Sequence, residues 1–366
     1  AAGITLESDD ALNIRTLPGA QLSMSNIRSA EGNSGLSIKA ERMTADFSVL
    51  PLLFGNLQIS SLALSDATLR IDLRKFPLAH IAPAAYIVAA LANPKSAIGP
   101  ASPALSCTRC RFSIIGPDGT ENILDPVDAR WTWAGGQTPA QLTGKFAWRG
   151  EEFSLNARTS NLGLIQSGEP ADLKVEFNSN LASFNFDGTA SLAGAFFADG
   201  QVAFKANSLK NFLEWSEPGE TAGNGISDLD FTSNFMAKEG KLQFSDLALR
   251  VSGEPATGTF DIDLTGPVPR TGGSLAFASI DLPAFLSALP IGAASRSDLG
   301  LMDRISLDLR LSADTAKIRN YTIANAAGAI RIQDGSASLD LGAGELGSGT
   351  VQANLSISGR KDQRSG

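Results

Sequence analysis

Short runs that alternate apolar and polar residues dominate the first 75 residues. Leu36–Ala40 places its apolar residues at even positions, whereas Met43–Phe47 places them at odd positions. Because successive side chains of a strand point to opposite faces, both groups reach one face only if the chain slips by one residue. We therefore expect a β-bulge near Glu41–Arg42. Val49–Phe54 is apolar throughout and precedes Gly55, which predicts a tight turn or a single turn of helix.

From about residue 105 onwards, one alternating run follows another. In each run one parity is apolar and the other is mostly polar, which is typical of sheets with one buried and one solvated face. The pattern predicts a mainly β fold of many strands with a few short helices. The candidates for lining the apolar face, as a possible lipid groove, are Phe184, Phe186, Phe231, Phe235, Phe260, Ile262, Leu307 and Leu309. Parity alone leaves open whether they line a groove or fill a closed core.

One longer apolar segment interrupts the strand pattern. Leu78–Leu91 is the best helix candidate in the first third of the chain, and Asn93–Pro103 is rich in Pro, Ser and Gly, which predicts a linker or loop. We place a soft boundary there. It divides the chain into an N-terminal β region with a short helix, residues 1–100, and an extended repetitive β region, residues 101–366.

An internal repeat occupies the second half of the chain. Gly200–Leu213 aligns with Gly273–Leu286 at an offset of 73 residues without a gap. Each copy predicts a strand, an N-cap residue (Ser208 or Asp281) and a short helix. The repeat units span about 200–272 and 273–345. Duplicated multi-strand units stacked in series favour an elongated sheet over a compact globule.

The composition removes several function classes. The net charge is −8, and no Lys/Arg cluster is interleaved with aromatic residues, so we expect no nucleic-acid partner. The longest apolar stretch, Ile81–Ala92, has 12 residues, whereas a helix that crosses a bilayer needs about 20.

Little catalytic chemistry is available. With one histidine, His80, and two cysteines, Cys107 and Cys110, the chain cannot build a four-ligand Cys/His zinc site alone. A Ser–His–Asp triad would need His80, and no serine lies in a glycine-flanked nucleophile elbow. We therefore expect no enzyme activity, no metal and no cofactor.

The start of the chain resembles the AsmA family of envelope proteins. The segments that carry the resemblance are Leu17–Leu22 (LPGAQL), Ser25–Arg28 (SNIR), Leu36–Phe47, Leu50–Gly55 (LPLLFG), Leu57–Leu64 and Ala67–Asp72. Two departures are visible: Pro51 follows Leu50 directly, and Ala67 stands where the family has proline. The motifs cover residues 4–73, and the remainder is similar only in texture.

The resemblance implies a fold, a place and a role. The implied fold is an elongated and curved antiparallel sheet that forms an open trough, related to the bridge-like lipid-transfer proteins. The place is the periplasm of a Gram-negative bacterium, with an inner-membrane anchor expected upstream of Ala1. The role is to bind and conduct phospholipid between the inner and outer membranes, or otherwise to support outer-membrane lipid homeostasis. Other envelope proteins are further expected partners.

Cys107 and Cys110 pose a separate question. In an extended strand, three residues span about 10 Å and the two sulfurs point to opposite faces. A disulfide needs Cα atoms within roughly 7 Å, so it requires a turn at Thr108–Arg109. The oxidising periplasm favours such a bridge. The residues themselves leave it open.

Two alternative functions stay open. The first is an envelope scaffold, a β-solenoid that binds proteins and carries no lipid. The second, more remote, is a carbohydrate-binding module or glycosidase. Trp131, Trp133 and Trp148 would line its sugar site, and Asp125 and Asp128 would supply its carboxylates.

Overall fold

The fold is defined by a computed structural model, which describes residues 6–8, 12–16, 19–29, 35–72, 74, 104–116, 119–192, 196–216, 227–288 and 306–358. The predicted helix Leu78–Leu91, the predicted loop Asn93–Pro103 and His80 lie outside the described residues.

Strands make up most of the described chain and belong to one mixed sheet. Their bounds are β1 (Leu6–Ser8), β2 (Asn13–Arg15), β3 (Gln21–Ser29), β4 (Leu36–Phe47), β5 (Ile59–Asp72), β6 (Ala104–Ile115), β7 (Glu121–Trp133), β8 (Ala140–Trp148), β9 (Glu151–Thr159), β10 (Ala171–Ser179), β11 (Ala182–Ser191), β12 (Phe197–Ala206), β13 (Leu229–Lys238), β14 (Lys241–Val251), β15 (Glu254–Asp263), β16 (Arg270–Asp281), β17 (Ser306–Ile318), β18 (Tyr321–Gln333), β19 (Ser336–Leu346), β20 (Gly349–Thr350) and β21 (Ala353–Ser358).

The helices of the described residues are short. They are α1 (Val49–Leu53), α2 (Leu162–Ser167), α3 (Leu209–Ser216) and α4 (Leu282–Ala288). The prediction for α1 is confirmed, and Gly55 behind it has a φ of 78°. The sequence pattern did not reveal α2, although Asn161 caps its first turn by accepting a hydrogen bond from the Leu164 N–H at 3.1 Å.

The chain divides into two compact units. The first comprises residues 1–180 and 185–197, and the second comprises residues 181–184 and 198–366. In the first unit β5 and β6 pair in parallel, so strands on either side of residue 100 are neighbours. In the second unit β16 and β17 also pair in parallel. The other pairings with a defined register are antiparallel.

The expected fold class is confirmed: the fold is mainly β, with few short helices. The antiparallel order of the sheet is interrupted at β5–β6 and at β16–β17, where the strands run parallel.

A line of irregular backbone crosses the first unit at one level. Asn26, Asp66 and Arg109 adopt positive φ values of 52°, 52° and 51°, in strands β3, β5 and β6. Asn26 and Asp66 lie opposite Glu41 of β4, one on each side. In each of these strands, the buried residues change from even to odd positions, or from odd to even, at this point. Asn and Asp tolerate this left-handed conformation better than most residues.

The expected change of parity at Glu41–Arg42 is therefore present, but it is not produced by a β-bulge in β4 alone. Ala40 and Met43 are both buried, so the parity change is confirmed. The register is not shifted at that point, because β3 and β5 carry matching irregularities. The register shift of β4 against β5 instead falls between Asp46 and Phe47.

The second unit has the element order that the repeat predicts. One copy runs β12–α3–β13–β14–β15 and the other runs β16–α4–β17–β18–β19. The two N-cap predictions are confirmed. Ser208 Oγ accepts a hydrogen bond from Asn211 N at 3.2 Å, and Asp281 Oδ1 accepts one from Ala284 N at 2.9 Å.

Candidate functional site

One row of residues runs across the second unit on a single face of its strands. The register pairs each member directly with the next, from β13 to β21. We call this the central row: Phe235, Phe244, Phe260, Gly273, Leu309, Ile330, Leu339 and Leu355. Because positions of one parity in a strand share a face, these residues lie on the same face of the strands. Their side chains are all apolar, except at Gly273, which has none.

Burial along the central row is uneven. Ile330 and Leu309, in the middle, are only 1% and 3% exposed. Phe235, Phe244, Phe260 and Leu339 are half-buried, and Leu355 at the last strand is 58% exposed. The middle of the row is therefore protein core, whereas its two ends present apolar surface.

The first end of the row is an aromatic ladder. The ring centroids of Phe235 and Phe244 lie 5.1 Å apart, and those of Phe244 and Phe260 lie 6.2 Å apart. Gly273 continues the ladder without a side chain. A Cβ there would lie 3.2 Å from Phe260 Cδ2 and 2.5 Å from the Thr259 carbonyl oxygen, so any larger residue would disturb this packing.

The second end of the row contains an apolar pocket of about 140 Å³. Its walls include Leu282 of α4, Leu311 of β17, Leu339 of β19 and Leu355 of β21. Small-molecule sites usually measure roughly 300–1,000 Å³. The pocket can therefore hold only part of an acyl chain, and the rest of such a chain would have to lie along the face.

A wider depression of about 300 Å³ lies at the aromatic end. Most of its lining residues alternate with the rings and therefore belong to the opposite, polar face: Asn234, Met236, Gln243, Ser245, Thr259 and Asp261.

The opposite face of the same strands is polar. Arg331 of β18 lies 3.2 Å from the Asp340 carboxylate of β19 and 3.7 Å from the Asp308 carboxylate of β17. Exposed ion pairs of this kind contribute little to stability. Their consequence is that one face of the sheet remains hydrated while the other can bind apolar material.

The first unit carries its own apolar face. Phe153 lies at its centre, with centroid distances of 4.9 Å to Phe177, 5.5 Å to Phe146 and 6.3 Å to Trp148. This cluster spans β8, β9 and β10, and such aromatic pairs are favourable beyond their buried area.

Cys107 and Cys110 form a disulfide, which resolves the question left open by the sequence. Their Cα atoms are 5.9 Å apart, well inside the range for a bridge. The expected turn is the positive-φ conformation of Arg109, which brings both sulfurs to the buried face. Cys110 is fully buried.

Arg109 itself points to the exposed polar face and holds this bend. Its Nε and Nη2 donate to the two carboxylate oxygens of Asp66 at 2.7 and 2.6 Å. The hydrogen bonds from Arg109 lower the pKa of Asp66 from its ordinary value of 3.8. The same bonds raise the pKa of the Arg109 guanidinium. The pair connects β5 and β6 at the irregular line.

The structure separates the eight lining candidates into two groups. Phe186 and Leu309 are buried core residues. The remaining six are half-buried: Phe184, Phe231, Phe235, Phe260, Ile262 and Leu307. Phe260 and Ile262 share the apolar face of the second unit with Leu307 and Leu309, separated from them by one strand, β16. Sequence reasoning missed Phe244, which contacts the rings of Phe231, Phe235 and Phe260 and alternates with polar Gln243 and Ser245.

The residues of the carbohydrate hypothesis do not converge. Trp131 and Trp133 are buried in a cluster with Leu162 and Ile165, on the apolar face of β7. Asp125 and Asp128 are exposed at positions of the polar face. Asp125 accepts from Arg111 Nη1, and Asp128 accepts from the Arg109 N–H, both at 2.8 Å. No observation on the described residues favours a sugar site.

No protein-family model, curated protein or solved structure matches this chain. Within the described ranges, no helix has the length and hydropathy needed to cross a membrane. The same residues bring together no group of three or more His, Cys, Asp or Glu side chains that could hold a metal ion.

Proposed function

We propose that this chain binds phospholipid acyl chains along the apolar face of its strands and conducts them between the two membranes of a Gram-negative envelope. The observation that carries the proposal is the central row, an uninterrupted apolar line across eight strands with half-buried or exposed side chains at both ends. It acts without catalytic residues or a cofactor, since transfer along a surface breaks no covalent bond.

The energetics support an acyl chain as the ligand. Each buried methylene contributes about 0.8 kcal/mol, so even part of a ~16-carbon chain has reason to leave water for this face. The pocket at Leu339 and Leu355 would take the end of a chain, and the aromatic ladder would take a second stretch. Neither place offers charged groups on the apolar parity, so bound lipid would be free to slide.

The setting is part of the proposal and rests on the resemblance of residues 4–73 to the AsmA family. We propose that the chain lies in the periplasm and is tethered to the inner membrane through an N-terminal anchor. The Cys107–Cys110 disulfide supports an oxidising compartment.

Site-specific photocrosslinking tests the lipid face. A photoreactive phenylalanine analogue at Leu355, which is exposed, should capture phospholipid when it is activated in cells that express the protein. Ser356 is the matched control, because it is the next residue of β21 and points to the opposite face. Mass spectrometry should find a lipid adduct at position 355 and none at position 356.

Native mass spectrometry supplies the second measurement. The wild-type protein should carry co-purified phospholipid, and Leu355→Asp with Phe260→Asp should lower the bound fraction, while Ser356→Asp should not. A wild-type protein that is free of lipid, or equal adducts at positions 355 and 356, would overturn the proposal.

A protein-binding scaffold is the second candidate, and the last strand favours it. Leu355 and Ile357 of β21 are exposed, and within the described residues only β19 pairs with this strand. An edge strand with apolar side chains is suited to pairing with another chain. Capture of a protein instead of lipid at position 355 would support the scaffold.

A further inference from the structure

A second apolar surface lies in the first unit, far in sequence from the central row. Val49, Leu50, Leu52, Phe54 and Leu57 all lie in or directly after α1, and all are exposed. Phe54 is 82% exposed and Leu50 is 71% exposed. We call these five residues the α1 tip.

The α1 tip continues onto the neighbouring edge strand. Leu12 and Ile14, in and before β2, are also exposed, and Ile14 pairs with Leu22 near the start of β3. That end of β3 joins the end of β4, because Phe47 N donates to the Ala20 carbonyl at 2.9 Å. Half of the large exposed apolar side chains of the described residues thus gather at one corner, seven of fourteen.

The backbone of the α1 tip is closed on itself. Ser48 N donates to the Gln58 carbonyl, Leu52 N to the Ser48 carbonyl, and Gly55 N to the Leu52 carbonyl, at 2.9–3.3 Å. Phe54 N and Asn56 N both donate to the Pro51 carbonyl. A segment can enter an apolar medium only if its backbone polar groups have internal partners, because unsatisfied groups are costly there. The tip meets this condition at these five donors.

Charge is absent from α1 and the residues that follow it, and the nearest basic residue of the corner is Arg15 of β2. No Asp, Glu, Lys, Arg or His occurs between residues 47 and 65. The nearest carboxylate, Asp46, is turned to its own strands, where it accepts from Gln21 Nε2 at 2.8 Å and from Ser61 Oγ at 2.5 Å. A protein interface of useful size normally carries about one hydrogen bond per 100–200 Å². The five side chains of the tip offer apolar contact, and the one polar side chain between Phe54 and Leu57 is the uncharged Asn56.

We propose that the α1 tip inserts into the surface of a phospholipid bilayer and thereby docks the first unit on a membrane. The partner is the boundary between headgroups and acyl chains, which accepts short apolar elements with satisfied backbones. The tip carries no basic residue, so insertion depends on apolar contact and only weakly on lipid charge. The inference does not rest on lipid binding by the central row.

Vesicle flotation tests this docking. The full chain should float with vesicles of phosphatidylethanolamine and phosphatidylglycerol, and nearly as well with neutral phosphatidylcholine vesicles or at raised salt. The double variant Leu50→Asp/Phe54→Asp should bind about a hundredfold more weakly, because two large exposed side chains lose their burial in lipid. Both positions are exposed, so the fold should be retained, and circular dichroism checks it.

The control variant is Ile123→Asp. Ile123 is an exposed apolar residue of the same unit at the opposite end of the strands, beside the turn that contains Gly119. It should float like the wild type. In addition, Phe54→Trp should show blue-shifted fluorescence with vesicles and quenching by brominated lipid.

The inference is overturned if the wild type fails to float or if the double variant floats as well as the wild type. Loss of flotation only in neutral vesicles or at raised salt would also contradict it, because binding would then be electrostatic. The outcome is separable from the lipid-face proposal, since the double variant should keep its co-purified phospholipid in native mass spectrometry.

Discussion

The side chains of the central row differ in burial, and this difference predicts how much two of them contribute to the free energy of unfolding. Ile330→Ala removes three carbons from a side chain that is 1% exposed. At about 0.8 kcal/mol per carbon, the transfer free energy alone is about 2.4 kcal/mol. The cavity left behind adds to it, so we expect a loss of about 3–4 kcal/mol in the free energy of unfolding. For a unit of this size, that lowers Tm by roughly 6–16 °C.

Leu355→Ala is the matched comparison, because it removes the same number of carbons from the same row and face. Leu355 is 58% exposed, so only about two-fifths of the transfer term is lost, about 1 kcal/mol. No enclosed cavity forms at an open edge strand. Urea unfolding followed by far-ultraviolet circular dichroism should therefore separate the two variants by about 2–3 kcal/mol.

The comparison can refute the assigned gradient in two ways. Equal losses for the two variants would mean that Leu355 is as well covered as Ile330, and the apolar end of the row would not be available to a ligand. A loss below about 1 kcal/mol for Ile330→Ala would mean that the middle of the row is not packed. The comparison assumes that both variants keep the wild-type dependence of the free energy of unfolding on urea concentration. A changed slope would indicate an altered native or unfolded state, and the two free energies could then not be compared directly.

Three further predictions concern the supporting structure. Replacing Cys107 and Cys110 by serine should cost about 2 kcal/mol in urea unfolding, the value for closing so short a loop, and reduced wild type should match the variant. The Asp66 carboxyl should titrate with a pKa below 3.8 by NMR, and Arg109→Gln should return this pKa towards 3.8. The pair with Arg109 therefore stabilises the fold above pH 3.8, and this stabilisation is lost as the pH falls through the lowered pKa. Asp281→Ala should cost about 1 kcal/mol through the lost N-cap, whereas Asp281→Asn should cost little.

Local chemistry made several elements predictable. The parity change around Glu41–Arg42, the single helical turn before Gly55 and the caps at Ser208 and Asp281 all follow from properties of a few adjacent residues. The element order of the second unit followed from the repeat. In each case the signal lay within one strand or one helix start, where side-chain direction and backbone preference decide the outcome.

Features that depend on neighbouring strands were not predictable. The β4 slip keeps its register only because Asn26 and Asp66 adopt positive φ on the two adjacent strands. The disulfide depends on the same conformation at Arg109, which is stabilised by an ion pair to a residue 43 positions earlier. Sequence spacing contains no information about such cross-strand partners, so it could state the need for a turn but not its cause.

Burial at the candidate site also depends on neighbouring strands, and it determines what transport along this face would require. Parity placed Phe260 and Leu309 on one face, but only the packing shows that Leu309 is core while Phe260 is half-buried. An acyl chain that slides along the whole central row must pass the buried pair Leu309–Ile330. Conduction across this unit therefore requires that the packing over this pair opens, whereas simple binding at either end does not. Lipid at Leu355 alone would support binding, and conduction would additionally require lipid contact at Phe260 in the same molecules.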